Sequence, residues 1–128
     1  MSPWRALTRD DVVRLHYSIL DAPIRDENLL LGALDKPWAS FMGVEVYPGL
    51  ADKTAALLMG LARNHPFMDG NKRTAIGAAD LFLAVNGYYL AFESDETVAS
   101  FVEIVAQGQV EQAFVSAWIT AHMKPLNP

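Results

Sequence analysis

The chain contains no cysteine. That removes a disulfide framework, a thiolate nucleophile and a sulfur-ligated metal site from consideration, and it suits a reducing cytosol. A basic excess is missing too: Lys and Arg number 10 against 15 Asp and Glu, a formal net charge of −5. Proteins that grip nucleic acid by general electrostatics carry the opposite sign, so no direct nucleic-acid partner is expected. Long apolar runs are also absent. Nothing approaches the roughly 20 residues of a membrane span, and MSPWRALTRDDVV lacks the apolar stretch of a signal peptide. The expectation is a cytoplasmic protein with no membrane partner. Neither an internal repeat nor a low-complexity block is present.

What is there is a core. With 128 residues, 52% of them hydrophobic, the chain can bury a sizeable interior as a single domain over 1–128. Thr8 precedes Arg9-Asp10-Asp11 and an apolar pattern at Val12, Val13, Leu15, Ile19 and Leu20. That is a capped helix start, and the helix should run to about Asp21 and stop before Pro23. A shorter helical pattern at Leu29, Leu30, Ala33 and Leu34 closes at Pro37. The stretch ASFMGVEVYPG, punctuated by Gly43, Pro48 and Gly49, reads as an irregular connection or a small flap or hairpin.

From Leu50 onward two strongly apolar helices follow, LADKTAALLMGLARN and NKRTAIGAADLFLAVNGYY. Pro66 ends the first near His65, and Asn86-Gly87 supplies the stop for the second. Two more helices are expected, one capped by Ser94 and one from about Val110 to His122, with PLNP as a frayed tail. The inferred fold class is all-α: a compact bundle of about five to seven helices whose central antiparallel pair is joined by the loop HPFMDG.

That loop, continuing into the next helix as HPFMDGNKRT, concentrates chemistry between two buried helices. The N–H groups of the helix that begins near Asn71 lack intrahelical partners and lie at the positive end of the helix dipole. They form an anion site by construction. Gly70 lets a ligand approach the backbone, and Asn71 can hold the turn through its side chain. Lys72 and Arg73 add two cations, Arg73 with a fork that fits phosphate, so the natural guest is a polyphosphate. Asp69 belongs beside phosphates if a divalent cation such as Mg²⁺ lies between them. His65, at the end of the preceding helix, is suited to taking a proton from an incoming hydroxyl.

Structural alternatives stand beside each assignment. Asp69 or Asn71 can be a helix N-cap, Asp69 can pair with Arg73 four residues on, and His65 can simply favour a helix C-terminus. Lys72 and Arg73 can be solvated charges. The density of the cluster favours function, because a connector needs a cap and a turn but not two cations at a helix N-terminus. The GNKRT string is not a Walker A loop, since the Gly-x4-Gly-Lys spacing and a preceding strand are both missing.

HPFMDGNKRT resembles the Fic/Doc family, whose signature is His-x-Phe-x-(Asp/Glu/Ala)-(Gly/Ala)-Asn-(Gly/Lys)-Arg, and matches it at every position. IRDENLLLGAL, YPGLADKTAALLMGLARNHPF and AADLFLAVNGYYL extend the similarity to the death-on-curing branch over most of residues 23–90. The resemblance implies a toxin of a toxin–antitoxin module, using ATP and Mg²⁺. His65 would be the general base, Asp69 the metal ligand, Gly70 and Asn71 the anion hole, and Lys72 and Arg73 the phosphate contacts, Arg73 also serving catalysis. Lys72 stands where AMP-transferring relatives have glycine. The implied reaction is therefore transfer of the ATP γ-phosphate to a threonine of elongation factor Tu, halting translation.

Self-inhibited relatives carry a Ser/Thr-x-x-x-Glu-(Gly/Asn) helix. Here only Glu27-Asn28 has the right ending, and Pro23 occupies the Ser/Thr position. Inhibition is expected in trans, from an antitoxin whose disordered C-terminal segment folds onto the toxin as a helix. The region from Asp21 to Pro48, with Arg25, Asp26 and Trp38, reads either as a target-docking flap or as a plain connection with Trp38 in the core. Arg63 reads as a phosphate contact or as a cap on its own helix, and Gly77 as a departure from relatives with a polar residue there. Competing functions are AMP transfer to a protein hydroxyl and non-catalytic binding to the translation machinery.

Overall fold

A computed structural model describes residues 2–127. Helix α1 spans Arg9–Ile19, α2 Glu27–Asp35, α3 Leu50–Asn64, α4 Asn71–Ala84, α5 Asp95–Ala106 and α6 Gln112–His122, with a 3-10 turn at Lys36–Trp38. The fold is the expected helical bundle. Two small antiparallel ribbons accompany it: β1 (Ser40–Phe41) with β2 (Val44–Glu45), and β3 (Tyr88–Leu90) with β4 (Met123–Pro125).

Each helix start has a chemical cause. Thr8 accepts from Asp11 N–H while the Asp11 carboxylate accepts from Thr8 N–H, a reciprocal capping box for α1. Asp26 accepts from Leu29 N–H to cap α2, and Ser94 accepts from Thr97 N–H to cap α5. Helix α3 forms the centre, with every residue from Lys53 to Ala62 buried, and it packs against α2, α4, α5 and α6. Helix α4 lies beside it, burying Ala75, Ala78, Ala79, Phe82 and Leu83. Three of these, Ala75, Ala78 and Ala79, are small, and the contact of α4 with α3 is the most extensive between any two elements.

The 40–45 segment is the hairpin form of the flap. Met42 and Gly43 both take positive φ, 53° and 81°, as the tight turn of a two-residue hairpin requires. Its mounting is a buried cation. Lys53 of α3 donates to Pro37 O (3.2 Å), Tyr47 O (2.6 Å) and the Glu45 carboxylate (2.9 Å), and it lies 4.9 Å from the Trp38 ring centroid. One ammonium thereby satisfies all three of its donors on both feet of the hairpin. Trp38 also meets Phe82 edge-on, so its packing is that of a core residue.

The C-terminal segment corrects an expectation. PLNP does not fray at its start: Pro125 pairs with Tyr88 in the β3–β4 ribbon, and Leu126 N–H donates to Gly87 O. The proline falls at an edge position where its missing N–H costs no ladder bond. The final residue lies outside the described ones.

Candidate active site

Helix α3 ends where His65 takes the left-handed conformation, φ 52° and ψ 58°. That conformation terminates helices and costs a non-glycine residue about 1 kcal/mol or more. Five residues on, Gly70 is left-handed as well, φ 77°, and occupies the N-cap of α4. A Cβ there would come within 3.1 Å of Leu20 Cδ2 and 3.5 Å of His16 Cε1, so both backbone shape and space call for glycine. No side chain caps α4. Its first N–H groups are left for a ligand, as an anion site requires.

Between these two turns the backbone is held by named partners. Asn71 is buried, and its carboxamide closes on Phe67, accepting from Phe67 N–H and donating to Phe67 O, both at 2.9 Å. The N-cap alternative for Asn71 is thus replaced by a loop-closing role. Phe67 is buried and stacks on His16, with ring centroids 3.7 Å apart. Asp69 accepts from Gly70 N–H at 2.7 Å and makes no ion pair with Arg73 among the described residues. Gly70 N–H is therefore covered by the Asp69 carboxylate, while the donors that follow stay open.

A cavity of about 350 Å³ is lined by His65, Met68, Asp69, Gly70, Asn71, Lys72 and Arg73. The structure therefore brings every expected site residue to one place. His65, Asp69, Lys72 and Arg73 are exposed there. The Lys72 ammonium pairs with Glu103 of α5 at 2.6 Å. That contact, with help from Gln107, holds the Glu103 carboxyl below the ordinary carboxylate range. The donor set fits a polyphosphate, and the exposed Asp69 carboxylate fits a hard cation that takes its remaining ligands from phosphate and water. No cluster of three or more His, Cys, Asp or Glu side chains occurs among the described residues, so a metal would depend on such outside ligands.

Beside this cavity runs an apolar groove of about 600 Å³ between α1, α4 and α5, with Ile19, Ile76, Phe92, Val98 and Val102 along it and Lys72 and Arg73 at its rim. Other residues singled out in the sequence have structural duties. Arg63 donates to Val105 O and Val110 O, tying down the α5–α6 connection; it neither reaches the cradle nor caps its own helix. Gly77 faces Leu15, whose Cδ2 would lie 3.3 Å from an added Cβ, so this position serves the α1–α4 contact. Glu27 is engaged by Arg9 of α1 in an ion pair rather than by Arg73.

Two supporting residues went unnoticed in the sequence. His16 is fully buried, with Nδ1 2.8 Å from Thr74 Oγ1 and Nε2 2.8 Å from Ala22 O. Because a carbonyl only accepts, Nε2 carries the proton and Nδ1 accepts from the threonine hydroxyl. His16 falls four residues after buried Val12, on the core face of α1, and that spacing is the overlooked signal of an interior histidine. Glu103 had no comparable signal, since it meets Lys72 from 31 residues away.

Comparison with known proteins agrees with this geometry. Residues 6–83 match a family model described as the Fic/DOC family. The curated relative Toxin Doc of Mycolicibacterium smegmatis is 54% identical over 72 residues, which cover 56% of this chain and 55% of that protein. The match thus spans about half the length of that relative. With more than half of its residues, the motif loop included, inside the family model, the chain belongs to the Fic/DOC family.

Proposed function

We propose that the chain is the toxin of a toxin–antitoxin pair and acts in the cytoplasm as a protein kinase, moving the γ-phosphate of ATP to a threonine hydroxyl of elongation factor Tu. The observation that carries this reading is the uncapped N-terminus of α4 opening into a cavity whose walls also hold His65, Asp69, Lys72 and Arg73. His65 takes the hydroxyl proton as the new oxygen–phosphorus bond forms. The bond from the γ-phosphorus to its bridging oxygen breaks, and ADP leaves with the electron pair. The N–H groups of Asn71 and its successors, together with Lys72 and Arg73, meet the charge on the phosphoryl oxygens. Asp69 would hold Mg²⁺, which would screen the phosphate charge. Lys72 argues for phosphoryl over nucleotidyl transfer, because its side chain fills space that a glycine would leave for the nucleotide.

The antitoxin would act in trans. The apolar groove along α1, α4 and α5, rimmed by Lys72 and Arg73, suits an amphipathic helix carrying an acidic residue. Expression of the wild type and of His65→Ala in bacteria tests catalysis. Growth arrest should disappear in the variant, whereas equal arrest would favour a non-catalytic binder.

A further inference from the structure

The segment before α2 is wrapped against the motif loop. Arg25 N–H and Asp26 N–H both donate to Pro66 O, at 2.7 and 3.0 Å, and Met68 N–H donates to Pro23 O at 2.9 Å. Ile24 and Phe67 form an antiparallel bridge. The Arg25 side chain adds a fork: Nε donates to His65 O at 2.7 Å and Nη2 to Asn64 O at 2.9 Å. These two carbonyls are among the orphan acceptors at the end of α3. Together with the Asn71 clamp on Phe67, these bonds engage the carbonyls of residues 64 to 67 and the N–H groups of 67 and 68. The loop owes its shape to outside partners.

We propose that Arg25 is the positioning residue for His65. This rests on the reading of His65 as the proton acceptor. A left-handed histidine is not held by its own preferences, and Arg25 is the side chain that grips its peptide oxygen. Two parallel donors from one planar group fix the direction of the 64–65 peptides in a way that a point donor does not. The αL backbone turns the Cα–Cβ bond of His65 off the course of α3, so a change of φ there redirects the imidazole. The strap bonds through backbone atoms are independent of the Arg25 side chain, so its truncation separates aim from fold. Both carbonyls lie at an exposed site where water can replace the lost donors.

The test uses the full chain with Arg25→Ala and Arg25→Lys, each also combined with His65→Ala. Arg25→Ala should lower kcat by about 100-fold, the loss typical of a misplaced catalytic group, with KM for ATP changed less than about threefold. Arg25→Lys should recover part of that loss, and neither change should matter further once His65 is alanine. Independently of activity, three-bond couplings and carbon shifts of residue 65 should leave their left-handed values in Arg25→Ala. Unchanged couplings at residue 65, or unchanged kcat with only a lower melting temperature, would overturn the proposal. If His65→Ala itself leaves activity intact, the proton-acceptor reading fails, and the couplings still decide whether Arg25 sets the conformation.

Discussion

Replacing Lys53 with methionine keeps the volume of the side chain and removes its charge. The ammonium is fully buried and serves three acceptors, two of them backbone carbonyls, with the Trp38 ring alongside. Breaking a buried pair by deleting one partner costs about 3–5 kcal/mol, because the remaining groups stay dry and unpaired. Here the Glu45 side chain keeps 34% of its surface and can turn to water, which pulls the loss toward the lower end. Pro37 O has no such escape, since Pro37 is buried. We therefore expect about 3 kcal/mol, which for a domain of this size lowers the melting temperature by about 10 °C. Urea unfolding gives the energy, and limited proteolysis shows where it is lost: cleavage should speed up between Ala39 and Tyr47 before any other site opens. A Lys53→Met protein within about 0.5 kcal/mol of wild type, with an equally resistant hairpin, would refute the idea that this cation mounts the flap.

Gly70→Ala combines a positive φ with a Cβ 3.1 Å from Leu20 Cδ2, so it should lose about 1–2 kcal/mol in chemical denaturation as α1 and the loop yield to each other. Glu103→Gln frees Lys72 and should tighten ATP binding by about two- to fivefold at low ionic strength in calorimetry, with the gain vanishing in high salt. The hydrogen bonds from Thr8, backbone first, hold the Asp11 carboxyl below the ordinary carboxylate range. Its stabilising contribution is thus complete above the usual aspartate pKa and disappears as pH falls through the depressed value. Asp11→Asn should flatten that part of the acid-unfolding curve.

The fold was legible where local chemistry decides it. Thr8 with Asp11, Ser94 with Thr97, and Pro66 after His65 are signals confined to a few residues, and the helices start and stop there. The site was legible for the same reason, since its cavity walls come from one run of the chain, His65 to Arg73. Long-range partners were not. Arg25 read as part of a target-docking flap or of a plain connection, and the structure sets it on His65 O, 40 residues away. Arg63 read as a phosphate contact or as a cap on its own helix, yet Val105 O and Val110 O engage it. The tail misled because β3 cannot be recognised as an edge awaiting Met123–Pro125 from either segment alone. Lys53 carries no sign of burial in sequence, because its charge is matched by carbonyls that only the fold assembles.

The claim that Lys72 marks a phosphoryl-transferring site is tested most directly by the fate of labelled ATP. Purified protein is incubated with elongation factor Tu and Mg²⁺, once with γ-labelled and once with α-labelled ATP, and a His65→Ala control accompanies each. Phosphoryl transfer predicts label on a threonine from the γ position only, and none with the variant. Label carried over only from the α position would contradict it and make the chain an AMP transferase.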